Sequence, residues 1–461
     1  MNTDTQTEII SYLLTRIDIN AVEDTSTYAN KHIHDDITYK VLGGFYDTIK
    51  QAHTYASSVI HDNKFERSKV NLREMYKIGL LYSDFIPKHI RNDIIHESTN
   101  LVRYTFKVSG KNVCVYFNDG EDGVNIKKLQ LIISLLKFLS TYTLNGCAKT
   151  IHLYMFLTND IKTLPHIRGS ILKTTNVNSA VTISCINNDD VGEAVIYRKE
   201  EWFKVLTHEL FHLLGLDFSN TNIDFDVGYG YGSGPKYNSI QKEMHAHFGV
   251  ASKYLLYEAY AEIWATLINA MFYVYNNVEL ERNTHFKSLQ YQFGAYVKSV
   301  ISIEQRFALM QLIKVLDHFD ISYTNLFETN KTNKAYNTKR KRVNSNTYKE
   351  STNAFAYYII KAILLYDLPQ FLKWCRENNK NILQFNNIDS NKKNKDAILS
   401  FVNLIKKLSL SVSLHKSLAI AQKNIQVDKE TYAPDHILRS SMRMTIFDVC
   451  MDLDTNVGIE I

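Results

Sequence analysis

Proline is scarce in this chain of 461 residues, with five in all, and beside abundant Asn, Lys, Ile and Tyr that scarcity points to an AT-rich genome more than to a chemistry. No run of about twenty apolar residues occurs, which excludes a membrane-spanning helix. The longest apolar segment, 129–139, is interrupted by Ser134 and Lys137 and reads as an amphipathic helix. The first fourteen residues carry acids and lack the basic-then-apolar order of a signal peptide. Cysteine is sparse too: Cys114, Cys147, Cys185, Cys375 and Cys450 are scattered, odd in number and free of C-x-x-C pairs. They read as reduced thiols of an intracellular protein. Nor is there a general excess of one charge. The formal balance is +5, but Lys331, Lys334, Lys339, Arg340, Lys341 and Arg342 fall in one stretch, and without them the remainder is near −1. A nucleic-acid-binding body is therefore not expected. The stretch 331–342 itself reads as a solvated loop, with a nuclear-import signal or phosphate patch as the alternative.

What remains is the composition of a globular protein, 45% hydrophobic and 22% charged, long enough for a sizeable core. Residues 1–100 read as a polar, mostly helical region, with candidates at 8–19 and 41–60. Near Leu101 the pattern changes. Val102, Tyr104, Phe106 and Val108 alternate, Ser109-Gly110-Lys111-Asn112 offers a turn, and Val113, Val115 and Phe117 alternate again, which predicts a hairpin. A helix over 126–143 follows, then strands over 151–157, 180–186 and 193–198. The region 101–280 is thus an α+β lobe, a small sheet leading into a central helix. Helical periodicity covers 281–330, the basic linker spans 331–350, and a helical lobe runs over 351–461 with a last element near 440–451.

The central helix is Glu200 to Phe218, EEWFKVLTHELFHLLGLDF. Acids open it and Gly215 is placed to stop it. Within it His208-Glu209-Leu210-Phe211-His212 reads H-E-x-x-H. On a helix His208 and His212 lie one turn apart, so both imidazoles reach one Zn²⁺, with Glu209 about 100° round and beside the metal. Two buried histidines that only hydrogen-bond are the plain alternative, and a third ligand decides between them. Tyr257-Glu258-Ala259-Tyr260-Ala261-Glu262 supplies a candidate. Glu258 and Glu262 share a helix face, where two carboxylates repel unless a cation or donor lies between them. A metal site provides both: one carboxylate binds the ion and the other accepts the N–H of a ligating imidazole. Asp226, in Asp226-Val227-Gly228-Tyr229-Gly230, is the alternative metal ligand, and the glycines there are equally compatible with a substrate-side loop or a plain connector. In the register H-E-x-x-H-x-x-G-x-x-H/D the ligand position is Phe218, so Asp217 is off by one and that pattern fails.

H-E-x-x-H followed by E-x-x-x-E on a later helix resembles the gluzincin group of zinc metallopeptidases. The resemblance implies a zincin-like catalytic lobe with predominantly helical N- and C-terminal regions, with His208, His212 and Glu258 as ligands and Glu209 as general base. It also implies that Ala194-Val195-Ile196-Tyr197 is the edge strand pairing with an extended peptide. The segments IYRKEEWFKVLTHELFHLLGLDF, YEAYAEIWA, TNAFAYYIIKAILL and SSMRMTIFD are similar to predicted metallopeptidases of large DNA viruses of eukaryotes, which implies residence in a host cell or virion.

Peptide hydrolysis by metal-activated water also needs a donor for the oxyanion. Tyr357 and Tyr358 are the first candidates and Arg443 the next, each equally readable as a packing or ion-pairing residue. The expected activity is a zinc-dependent endopeptidase acting on a peptide or protein. The rival reading is a non-catalytic scaffold or virion protein that retains the metal. Glu209 argues against it, because a purely structural zinc needs no acid beside an open position.

Overall fold

The computed structural model of the chain describes residues 3–19, 38–70, 77–97, 101–118, 122–143, 147–183, 190–219, 239–280, 288–327, 347–385, 391–428, 432–433 and 436–449. Asp226, the glycines of 228–234, the basic stretch 331–342, Cys185 and Cys450 lie outside them.

The architecture is α+β, many helices around one six-stranded sheet of order β1-β2-β3-β4-β6-β5. Its strands are β1 (Glu66–Val70), β2 (Leu101–Val108), β3 (Lys111–Asn118), β4 (Thr150–Thr158), β5 (Ala180–Thr182) and β6 (Val191–Arg198). The expected hairpin is β2–β3, antiparallel through a turn in which Ser109 and Gly110 take positive φ of 48° and 81°. β4 and β6 add in parallel, and β5 closes the edge antiparallel to β6. β1 is not foreseen because Glu-Arg-Ser-Lys-Val has no alternation. It lies at the opposite edge, largely exposed, where charge discourages further pairing.

Period-2 patterning divides the sheet's side chains between two faces. Tyr104, Phe106, Val115, Leu153 and Ile196 enter a core that extends from Ile9 to Val449. Tyr116, Tyr154, Val195 and Tyr197 join a smaller cluster with Leu81, Ile90 and Ile94, contributed by the segment 78–97. On the main-core side lie helices α1 (Thr3–Arg16), α2 (Tyr46–His61), α3 (Asp122–Tyr142), α4 (Trp202–Leu213), α5 (Leu256–Asn277) and α6 (Leu289–His318). The helix expected over 41–60 is broken at Gly43-Gly44. A Cβ at Gly43 would lie 2.4 Å from the Gln290 carbonyl oxygen, so only glycine lets this turn cross α6.

Two later segments complete the site. A π-helical turn, Phe355–Ile360, runs into α7 (Lys361–Tyr366). Residues 441–449, expected to include a last regular element, instead form an irregular and mostly buried strap after a four-residue helix, Ile437–Ser440. Among the described residues no single helix is long and apolar enough to cross a membrane. Cys114 and Cys375 are free thiols, but Cys147 is disulfide-bonded. That corrects the expectation for Cys147, since spacing in the sequence does not reveal which thiols a fold brings within bonding distance.

Candidate metal centre

Helix α4 is buried on every side, with Phe203, Leu206, Leu210 and Phe211 at most 1% exposed, so packing rather than intrinsic propensity holds it. Its end is set by glycine. Gly215 takes φ 65°, the Leu216 N–H donates to the Phe211 carbonyl at 2.9 Å, and the Gly215 N–H to that of His212 at 3.2 Å. The start differs from the expectation of acids in the first turn. Glu201 precedes the helix in a left-handed conformation, φ 58°, and does not cap it. Its carboxylate turns away, pairs with the Lys162 ammonium, and accepts the Met444 N–H at 2.6 Å and that of Thr445 at 2.5 Å.

α5 packs on α4 and brings Glu258 over the two histidines. His208 Nε2 and Glu258 Oε2 are 3.0 Å apart, the two Nε2 atoms 3.0 Å, and His212 Nε2 and Glu258 Oε2 3.4 Å. Tetrahedral bonds of about 2.0–2.1 Å would separate donors by about 3.3 Å, so this triangle fits one small divalent cation. The far nitrogens face carboxylates: His208 Nδ1 lies 3.1 Å from Glu262 Oε2, off the line of a well-formed hydrogen bond, and His212 Nδ1 contacts Asp217 Oδ2 closely. Protons held on the two Nδ1 atoms leave both Nε2 lone pairs aimed at one point. Two lone pairs and a carboxylate oxygen at that spacing repel unless a cation joins them.

Burial would lower both imidazoles, but carboxylates reverse it: Glu258 and Glu262 raise His208, and Asp217 and Glu258 raise His212 well above the usual range. Burial would likewise raise Glu258, yet His212 and His208 hold it far below the usual carboxylate range. Glu262 is brought to about 2 against its burial, chiefly by Lys204. Lys204, one turn before His208, pairs with Glu262 Oε1, and Lys361 Nζ lies 3.8 Å from the same oxygen. Glu209 is raised by burial, and no described residue hydrogen-bonds or ion-pairs with its carboxylate. With His208, Ala180, Val205 and Tyr357 it lines a narrow, open cleft.

Asp217 is the site residue that ligand spacing does not reveal, since it falls one short of the ligand position in the H-E-x-x-H-x-x-G-x-x-H/D register. Its position two residues after the glycine stop is the available signal. The turn at Gly215 folds it back beneath His212, and its second oxygen accepts from Ser219 Oγ at 2.7 Å. Asp217→Asn keeps the shape but weakens the grip on the His212 ring, and divalent-metal affinity is expected to fall by about 10–100-fold in a chelator competition. An unchanged affinity would exclude this positioning role.

The oxyanion candidates separate. Tyr357 reaches the centre, donating to Glu258 Oε2 at 2.9 Å, while Asn353 Nδ2 donates to Glu258 Oε1 at 3.1 Å. Tyr358 points elsewhere and donates to the Met442 carbonyl at 2.6 Å. Arg443 does not line the cleft: it is buried against Asp448 at 2.6 Å and the Thr445 carbonyl at 3.2 Å. Both hold the strap, so neither is placed to meet an oxyanion. The edge-strand expectation also needs correction. β6, which contains Ala194-Val195-Ile196-Tyr197, is paired on both sides, and the free edge beside α4 belongs to β5. An apolar run marks a strand without revealing its neighbours. Ser179 O accepts from Tyr197 N at 3.0 Å and Ile183 N donates to Glu193 O at 3.3 Å, so strand alternation turns the main-chain groups of Ala180 and Thr182 away from β6.

No known protein family, no curated protein and no solved structure matches this chain.

Proposed function

We propose that the protein is a zinc-dependent metallopeptidase of zincin-like build, hydrolysing a peptide or protein substrate. One observation carries the reading: the His208–His212–Glu258 triangle shares its surroundings with a buried glutamate, Glu209, that no described residue engages. A divalent cation held by the triangle would supply Lewis acidity to a water molecule and to the scissile carbonyl. Glu209 then takes the proton of the attacking water and later delivers it to the departing amine. Tyr357, kept protonated by burial and by the adjacent Glu258, turns its O–H from Glu258 to donate a hydrogen bond to the developing oxyanion. Glu262, held between Lys204, Lys361 and His208, keeps the His208 ring oriented. The outward main-chain groups of Ala180 and Thr182 can align an extended peptide as an added strand.

The test combines metal analysis by mass spectrometry with cleavage of a mixed peptide library. Wild type is expected to carry about one zinc per chain and to cleave. Tyr357→Phe should keep the metal and lose about 10²–10³-fold in kcat, the usual cost of one oxyanion donor. Metal without any cleavage would favour the scaffold reading, and no metal would end both.

A further inference from the structure

A second cavity, of about 120 Å³, opens where α1, α6 and the helix Val412–Asp428 approach the segment before the strap. Its walls are apolar, from Leu164, Met310, Ile313, Ile425 and Leu438. The polar groups at its rim are Lys314, Asp317, Arg439 and the tyrosines Tyr12 and Tyr432. Most of these are engaged. Arg439 donates to the Tyr432 carbonyl at 2.7 Å, and Asp317 Oδ1 lies 3.4 Å from the Arg168 guanidinium.

Lys314 is different. Its ammonium donates to one acceptor among the described residues, the Ser441 carbonyl at 2.8 Å, and no described carboxylate lies within ion-pair distance. An ammonium has three protons to give, and an unpaired charge facing apolar walls is costly. Lys314 is partly buried at this rim, and that burial lowers it to about 7. Nothing in the metal centre uses this lysine. We infer that the cavity is a binding site for a small amphipathic anion, a carboxylate-type head on an apolar body. The head would pair with Lys314, with Arg439 at the same rim, while the tail covers the Leu164–Ile313–Ile425 wall. Asp317 faces the cavity from one turn further along α6 and is neutralised by Arg168.

Isothermal titration of the full chain with dodecanoate, 1-dodecanol and acetate tests this. Wild type should bind one dodecanoate, with 1-dodecanol at least about tenfold weaker and acetate not measurable below 1 mM, on the order of the weakest affinities worth assigning to a site. Lys314→Met keeps the side-chain length and removes a desolvated charge, and Gln311 still donates to the Ser441 carbonyl at 3.2 Å, so the variant should fold. It should bind dodecanoate at least about tenfold more weakly, one charge-assisted contact being worth that or more. Leu164→Trp, which leaves Lys314 in place and fills the cavity, should abolish binding. Equal affinity for the acid and the alcohol, an unchanged Lys314→Met, unchanged binding to Leu164→Trp, or no binding to wild type would each overturn the inference. None of these readouts involves peptide hydrolysis, so the outcome is independent of the proposed activity.

Discussion

Protein carrying Glu209→Gln is expected to bind one divalent cation per chain as tightly as wild type while cleaving peptides about 10²–10⁴-fold more slowly. The first half follows from geometry: Glu209 is outside the donor triangle, and the exchange leaves His208, His212 and Glu258 in place. The second half follows from chemistry, because an amide cannot take a proton from water, and a positioned base is worth about that factor. Glu258→Ala is the complementary change. It removes one of three donors and strands Asn353 Nδ2 and the Tyr357 hydroxyl, which both donate to that carboxylate. Metal affinity should fall by more than the roughly 10–100-fold seen for residues that only orient a ligand. Metal content by mass spectrometry and single-peptide kinetics read both variants. Full cleavage by Glu209→Gln, or full metal retention by Glu258→Ala, would refute the proposed mechanism. In the latter case Asp226 becomes the ligand to test.

The largest stability loss is expected for Glu201→Ala, about 3–5 kcal/mol in denaturant unfolding at neutral pH. The carboxylate is buried, as is its partner Lys162 with a side chain 1% exposed, and removing one member of such a pair leaves an uncompensated charge. It also orphans the Met444 and Thr445 N–H groups, so the strap loses its anchor to α4. The same pair predicts acid sensitivity. Burial would raise Glu201, but Lys162, Arg443 and Lys204 bring it down to about 2 from the ordinary 4.5. A group with a depressed folded-state pKa contributes its full stabilisation above 4.5 and loses it as pH falls from there towards 2. At about 1.4 kcal/mol per pH unit, about 3 kcal/mol disappears in that window, in line with the mutational figure. In Glu201→Gln this component of the acid dependence should be missing. A mutant as stable as wild type would mean that the strap is held by other contacts, chiefly Glu304, which accepts the Ile446 N–H at 3.0 Å.

The parts of the molecule legible in the sequence are those governed by local period. The two-residue alternation marks β2 and β3, the four-residue spacing sets His208 over His212, and the glycine at 215 ends α4. The same spacing puts Glu258 and Glu262 on one face of α5. Each depends on backbone geometry within a few residues, which the side-chain order displays directly. What only the tertiary structure decided are pairings between distant segments. Tyr357, not Tyr358, meets Glu258 across 99 residues of chain, through a π-turn that no periodicity announces. Glu201 leaves its helix to hold Met444 across 243 residues. β5 rather than β6 supplies the free edge beside α4, and Lys204, a cation on an apolar helix, finds its partner in Glu262. Buried charges must find opposite charges, and burial is a property of the packed whole, so the identity of each partner emerges only when the segments meet.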